Sequence, residues 1–299
     1  MPLIFGTRPS ALARGQTSHI IRLLRAAWPG LECRAQIITT RGDRLLDRPL
    51  PEIGEKGLFT RELETALLCQ EVHVAVHSLK DLPMEDPVGI VLAAVPARDS
   101  ALDVLIAPRG ETLVNLPEGA RLGTSSLRRT AQLLARRPDL TLLPLRGNVD
   151  SRLRKVLNGE FEAIVLAAAG LTRLGLEAHV SETLPLDLML PAPGQGALAV
   201  QCRADDLETL RLLSAVHDPL TYAAVAAERA FLSSLGAGCS LPIGAFAQKN
   251  NGKIILTGAV MSVDGKQSVR LSASGEEPQE LGERLAQLVL ERGGSDLLA

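Results

Sequence analysis

The 299-residue chain is poor in aromatic side chains, with five Phe, one Trp and one Tyr. Its cores must be aliphatic, and base stacking on a nucleic acid has few platforms to use. Lysine is scarce too, at six residues against 26 Arg. The four cysteines, Cys33, Cys69, Cys202 and Cys239, form no Cys-x-x-Cys pair, and no His lies at zinc-ligand spacing. A disulfide framework and a zinc site are therefore not expected, and a reducing cytoplasm fits. Met1 to Gly6 shows no basic stretch leading into an apolar one, and no apolar run approaches the roughly 18 residues of a membrane span. Secretion and membrane insertion are not expected. Gly194-Gln-Gly196 is too short for a dinucleotide fingerprint and no Walker A sequence occurs, which argues against nucleotide binding.

What is present is an ordinary globular composition, 46% hydrophobic and 22% charged, long enough for two or three domains of roughly 100 to 150 residues. The net charge of -2 hides an uneven distribution. Between Arg121 and Arg154 eight Arg face only Asp139 and Asp150, a local excess of six positive charges. Such a run is either a solvated helical face or a binding surface for anions.

Short β-like runs alternate with helical patterns through the first two thirds, which predicts parallel sheets covered by helices. Leu3 to Phe5 reads as a strand, followed by a helix capped by Ser10 and stopped by Trp28-Pro29-Gly30. A strand is predicted over Glu32 to Thr39. A polar, Pro-containing stretch expected to be mobile runs from Arg41 to Gly57. Then come a helix over Thr60 to Gln70, an alternating strand at Val72, Val74 and Val76, and a loop from His77 to Pro83. A second unit has predicted strands at Asp103 to Ala107, Arg121 to Gly123, Leu140 to Leu145 and Ala163 to Ala168, with helices at Ser126 to Arg136 and Val149 to Leu157. Val95 to Asp99 and Pro191 to Gly196 read as a pair of crossing linkers, so that a helix over Ala204 to Ser214 returns to the first unit. Beyond His217 a helix, three strands with hairpin turns at Asn250-Asn251-Gly252 and Asp264-Gly265, and a closing helix over Gln279 to Glu291 read as a separate α+β domain. The expected domains are 1–96 with 197–214, 101–191, and 217–299.

Several segments could carry chemistry. Gly123-Thr124-Ser125-Ser126-Leu127-Arg128-Arg129 places small hydroxyls between a strand and a helix, where free N–H groups and the helix dipole favour an anion such as a carboxylate. The plainer alternative is serine capping with two solvated arginines. Arg146, Arg152 and Arg173 follow other predicted elements, and open α/β sheets bind ligands beyond the carboxyl ends of their strands. Arginine suits a carboxylate through its planar fork, though each Arg alone is compatible with a surface charge. In His77-Ser78-Leu79-Lys80-Asp81-Leu82-Pro83, Asp81 could stabilise a cation if a tight turn aims it and Lys80 into one site. A unit charge about 4 Å away at an effective dielectric near 20 is worth roughly 4 kcal/mol. An exposed Lys-Asp pair is the alternative. Cys239, in the flexible loop Leu235 to Pro242, is either a thiolate that bonds covalently to a ligand or a buried inert thiol. Cys33, Cys69 and Cys202 read as core residues, and His73 and His77 as structural.

The motifs, in order, are Arg8-Pro-Ser-Ala-Leu-Ala13 with Gln16, Thr40-Arg-Gly-Asp43, Lys56-Gly-Leu-Phe59, His77-Ser-Leu-Lys-Asp-Leu-Pro83, Gly123-Thr-Ser-Ser-Leu-Arg-Arg129, Arg146-Gly-Asn148, Leu166-Ala-Ala-Ala-Gly-Leu171 with Arg173, Pro191-Ala-Pro-Gly-Gln-Gly-Ala197 and Gly238-Cys239. Together they resemble the hydroxymethylbilane synthase (porphobilinogen deaminase) family nearly end to end. The resemblance implies an α/β fold of two periplasmic-binding-protein-like domains with an active-site cleft between them, plus a small α+β C-terminal domain with a three-stranded sheet and helices. It implies a transferase of porphyrin biosynthesis that joins four porphobilinogens head to tail on a dipyrromethane cofactor held by a thioether to Cys239. Asp81 is the implied catalytic carboxylate. Arg8, Ser10, Lys56, Ser78, Lys80, Thr124, Ser125, Ser126, Arg128, Arg129, Arg146, Arg152, Arg173 and Gln195 are the implied binding residues for cofactor and substrate, with no metal. A cytoplasmic monomer with transient handover to a downstream cyclising synthase is implied as well, without nucleic acid or membrane. A noncatalytic carboxylate-binding protein of the same fold is the alternative, and would require a secretion signal or anchor and leave Cys239 without a role.

Overall fold

The computed structural model describes residues 1–44, 57–236 and 241–298. Lys56 and Cys239, and residues 45–56 of the Arg41 to Gly57 stretch, lie outside the described residues. The chain divides into two compact units, residues 1–98 with 197–222, and 99–196 with 223–299.

The first unit begins with β1 (Leu3–Thr7), α1 (Ala11–Ala27), β2 (Cys33–Ile37), the short helix α2 (Arg41–Arg44), α3 (Arg61–Leu68), β3 (Val74–Ser78) and β4 (Ile90–Ala94). Helix α1 buries Ala13, Gln16, Thr17, Ile20 and Leu24, a stripe at helical spacing. As expected, Ser10 caps it, accepting from the Ala13 N–H at 3.2 Å. The second unit contributes β5 (Asp103–Ile106), β6 (Arg121–Gly123), α4 (Leu127–Arg136), β7 (Thr141–Leu143), α5 (Val149–Leu157), β8 (Ala163–Ala167), α6 (Ala168–Thr172) and β9 (Glu182–Leu184). The chain returns to the first unit with β10 (Leu198–Arg203) and α7 (Leu207–Ser214). Helix α8 (Pro219–Ser234) contains the boundary at Tyr222. The second unit then closes with β11 (Ile243–Asn250), β12 (Lys253–Met261), β13 (Ser268–Gly275), α9 (Pro278–Val289) and α10 (Ser295–Leu298).

The two five-stranded sheets have matching orders, β2-β1-β3-β10-β4 and β7-β6-β8-β5-β9. Neither is purely parallel, which corrects the sequence expectation. Four strands in each share one direction and one is reversed: β10 pairs antiparallel with β3 and β4, and β5 pairs antiparallel with β8 and β9. In each sheet the reversed strand is the one that directly follows a crossing between the units. Strands β4, β9 and β10 were not anticipated, and the predicted helix over 204–214 begins only at Leu207, where Asp206 accepts from the Thr209 N–H at 3.0 Å. Composition in β10 hides the strand, because Leu-Ala-Val-Gln-Cys-Arg is buried on both faces and does not alternate.

The C-terminal sheet is antiparallel, β11-β12-β13, as the hairpin signals required. Asn251 and Gly252 both hold positive φ (49° and 82°) between the paired Asn250 and Lys253, a two-residue turn whose twist matches the strands. The cores are aliphatic apart from a few rings, with Phe5, Ile20, Leu63, Leu105, Leu122 and Phe231 fully buried. Cys33 and Cys202 are buried, and burial pushes the Cys202 thiol up to about 12. Cys69, expected in the core, is exposed because it caps the end of α3 rather than lying on its inner face. Among the described residues no helix is long and apolar enough to cross a membrane, and no cluster of three or more His, Cys, Asp or Glu could hold a metal.

Candidate active site

In the first unit the chemistry gathers at the carboxyl ends of β1 and β3, the place open α/β sheets reserve for ligands. Arg8 leaves β1, Ser10 opens α1, and Ser78 ends β3. Gln16, buried in α1, donates from Nε2 to Ser78 Oγ at 2.8 Å and so ties the helix to the strand end. The residues after Ser78 form a 3-10 turn, Leu79–Asp81, fastened by the Leu79 N–H to Ala197 O at 3.0 Å. That tight turn replaces the loop expected from sequence and brings Asp81, though not Lys80, to the lining of a cavity. Asp81 is exposed and lines a cavity of about 70 Å³ with Arg8, Ser10, Gln16, Phe59, Thr60, His77 and Ser78. A larger hollow of about 260 Å³, lined by Lys253, Glu276, Glu277, Glu280 and Arg284, collects none of the sequence-identified residues.

The cavity wall is strongly structured. The Arg8 guanidinium lies 4.1 Å from the centre of the Phe59 ring and grips Asp43 through Nε (3.2 Å) and Nη2 (2.6 Å). Asp43 in turn accepts from Thr40 N and Oγ1 at 3.1 and 2.8 Å. Burial would raise the Asp43 carboxyl, but the hydrogen bonds from Arg8 and Thr40 outweigh it and hold the group below its usual range. His77 is buried beside this group. Desolvation, with help from the nearby Arg8 charge, lowers it to about 4, so the imidazole is neutral at ordinary pH. The Nε2 of His77 and Oγ1 of Thr60 are buried, with no partner within hydrogen-bonding geometry among the described residues.

In the second unit the Gly123 to Arg129 segment opens α4. Ser126 caps the helix, accepting from the Arg129 N–H at 3.4 Å, and the Thr124 Oγ1 accepts from the Ser126 N–H at 3.2 Å. The Ser125 hydroxyl donates to Leu145 O at 2.9 Å and accepts from the Leu145 N–H at 3.0 Å, which places it beside Arg146. Arg146 and Arg152 are both partly buried, and Arg152 Nε donates to Gly147 O at 2.7 Å.

Arg128 and Arg129 are not solvated. Their side chains are only 5% and 7% exposed, and both reach Asp103, which is fully buried at the head of β5. Arg128 Nη1 donates to Asp103 Oδ2 at 2.7 Å and to Leu190 O at 2.8 Å. Arg129 places Nε and Nη2 on Asp103 Oδ1 at 3.1 and 2.7 Å and Nη1 on Val165 O at 3.0 Å. Gln195 Nε2 completes the cluster, donating to Asp103 Oδ1 at 3.0 Å and Ala101 O at 2.7 Å. Burial opposes ionisation of Asp103, yet the two guanidinium groups hold it well below the usual carboxylate range. Arg173 spans the two linker segments, from Nε to Asp99 Oδ2 at 2.9 Å and from Nη2 to Gly196 O at 2.7 Å. Gly196 holds φ of 87°, and a Cβ there would meet Asp99 O at 2.5 Å, so only glycine allows this approach.

Sequence reasoning gave no role to Asp103, Asp43 or Asp99. The one signal available was an acid at the head of the otherwise apolar run Asp103-Val-Leu-Ile106, since a strand that buries all four residues must supply a partner for the charge.

The chain is thus an α/β protein with two mixed five-stranded sheets, arginines near strand ends and a carboxylate on a post-strand turn. Comparison with known proteins gives the family. The family "Porphobilinogen deaminase, dipyromethane cofactor binding domain" matches residues 3–211, and "Porphobilinogen deaminase, C-terminal domain" matches residues 222–291. A relative from Roseiflexus castenholzii named porphobilinogen deaminase is 52% identical over 298 residues, covering 99% of this chain and 98% of that one. Another of the same name from Brevibacillus brevis is 50% identical over 295 residues, covering 98% and 96%. The chain belongs to the porphobilinogen deaminase family. A periplasmic binding protein from Salmonella typhimurium with high arginine specificity is 14% identical with a TM-score of 0.39 over 74% of this chain and 93% of that one, too slight a likeness to add to this.

Removing the Asp103 carboxylate leaves two buried guanidinium groups without their counter-charge, and Asp103→Ala should cost about 3 to 5 kcal/mol. Denaturant midpoints check this, and a loss under about 1 kcal/mol would remove the cluster from the stability account. His77 gives a pH test. The unfolded chain protonates it near 6.5 while the folded protein resists until about 4. Stability from this group is therefore complete above the unfolded value and declines as pH falls from 6.5 to 4, by roughly 3 kcal/mol in all. Urea midpoints of wild type and His77→Gln over that window should diverge in slope; parallel slopes would refute the burial of a neutral imidazole.

Proposed function

We propose that the chain is a hydroxymethylbilane synthase. It condenses four porphobilinogens head to tail, with loss of ammonia, on a covalently held dipyrromethane primer, and releases the linear tetrapyrrole by hydrolysis. The observation that carries this is identity near one half over almost the whole of both chains in relatives named for the activity. A noncatalytic carboxylate-binding role is not favoured by that match.

The donor set fits a polycarboxylate. Each pyrrole unit bears two carboxylates, and the chain offers guanidinium forks at strand ends in both units, with hydroxyls and a helix N-terminus beside them. Cys239 would hold the primer, which supplies the α-carbon on which the product grows. Arg8, Ser10, Ser78 and Lys80 would bind carboxylates around the first-unit cavity, and Thr124, Ser125, Ser126, Arg146 and Arg152 those at the head of α4. Lys56 completes the assigned set. Arg128, Arg129 and Gln195 would act chiefly through the Asp103 cluster, which sets the start of α4, and Arg173 through its grip on the linkers. Asp81, exposed in the cavity wall, would balance the positive charge that develops when the substrate's aminomethyl C–N bond breaks and would move the accompanying proton.

The chain is organised for this work as 1–96 with 197–214 for catalysis, 101–191 for carboxylate binding and 217–299 for the primer. The absence of a membrane-crossing helix among the described residues and the free thiols at Cys33, Cys69 and Cys202 support action in the cytoplasm. It works as a monomer and passes its reactive product to a cyclising synthase by transient contact.

Intact-mass measurement of the holoprotein should exceed the sequence mass by two pyrrole units, and Cys239→Ser should lack them. Fully active protein at the bare sequence mass would overturn the covalent primer. Asp81→Asn should retain fold and primer yet lose roughly a thousandfold in turnover, the equivalent of about 4 kcal/mol. Near-normal turnover would remove Asp81 from catalysis.

A further inference from the structure

A guanidinium has two edges that match a carboxylate, one formed by Nε with a terminal nitrogen and one by the two terminal nitrogens. In Arg8 the first edge is occupied by Asp43. Its other terminal nitrogen, Nη1, makes no hydrogen bond to any described residue. The pair is not an incidental surface contact, since the side chains are 24% and 10% exposed and Asp43 is anchored through both the N–H and the hydroxyl of Thr40. Phe59 holds one face of the guanidinium, and Gly42, beside Asp43, packs so close to that ring that a Cβ would overlap it. The guanidinium is thus fixed in orientation on two sides and its charge is matched by one carboxylate.

The cavity has two demands that conflict. It must bind the carboxylates of porphobilinogen, which favours Arg8, and it must accept a cationic aminomethyl group and the positive charge left when that group departs, which an uncompensated Arg8 would oppose. The Arg8 charge does reach into the cavity, for it helps suppress protonation of His77. We propose that Asp43 is a positioning residue for the reaction: it fixes Arg8 so that the free edge meets a substrate carboxylate, and it cancels enough of the guanidinium charge that Asp81 can act on the departing amine. The C–N bond breaks with its electron pair going to nitrogen, so a protonated aminomethyl group leaves as neutral ammonia and one positive charge stays on the pyrrole. One unbalanced positive charge nearby would disfavour that outcome.

This inference rests on the assignment of the cavity as the porphobilinogen site. Holoenzymes of wild type, Asp43→Asn and Asp43→Glu are compared in two measurements: turnover of porphobilinogen, and inhibition by a pyrrole carrying the acetate and propionate groups but no aminomethyl group. The Asn variant keeps the shape and an acceptor but not the charge. It should lose roughly tenfold or more in kcat/KM, the scale of one unit charge several ångströms away, while binding the amine-free pyrrole as tightly as wild type or more so. The Glu variant should recover a substantial part of the turnover. Equal losses for both ligands, or an Asn variant indistinguishable from wild type, would overturn the proposal. A wild type that consumes no porphobilinogen would instead overturn the assignment of the function.

Discussion

Asp103 accepts hydrogen bonds from two arginines and a glutamine in a place with no solvent contact, and the second unit is arranged around that fact. A carboxylate buried alone would be neutralised or expelled, and two guanidinium groups buried alone would be worse. Together they tie the head of β5 to the first turn of α4, to β8 through Val165 O, and to the linker through Leu190 O and Gln195. The serine-capped start of α4 is held where it is because the arginines two and three residues beyond the cap cannot move without breaking that cluster.

The same device recurs where the chain has to place a cation. Asp43 fixes Arg8 and Asp99 fixes Arg173, each through a forked or paired contact. Lysine could not be held this way, because its ammonium is a point charge on a flexible stem and offers no planar edge to orient. The large excess of Arg over Lys follows from that geometry. It also explains why so cationic a stretch as Arg121 to Arg154 does not make the folded protein repel itself: Arg128, Arg129 and Arg137 each sit on an acid contributed by the same unit.

The scarcity of aromatics has its counterpart in the site. Phe59, whose ring lines the first-unit cavity, serves as a flat support for Arg8. Elsewhere in the two units the polar groups near strand ends are guanidinium forks and hydroxyls, whose hydrogen bonds are directional.

Much of this was legible without coordinates. Caps at Ser10 and Ser126, the two hairpin turns in the C-terminal sheet, and the motif residues that mark the family are local patterns, set by which side chains can bond to their own backbone or tolerate positive φ. The strand β10 and the reversed direction of β5 were not legible, since β10 is buried on both faces and carries no alternation, and direction is set by where the chain re-enters a sheet. Nor did the sequence reveal which arginines face solvent: Arg128 and Arg129 read as free cations beside a cradle, and only the path of the chain brings Asp103 against them. The pairs span 25 positions for Asp103 and Arg128, 35 for Arg8 and Asp43, and 74 for Asp99 and Arg173. The sequence by itself determined the local elements, the supply of forked cations and the family. The tertiary structure decided which acid balances which arginine, because an ion pair forms between groups that folding brings within a few ångströms, whatever their separation along the chain.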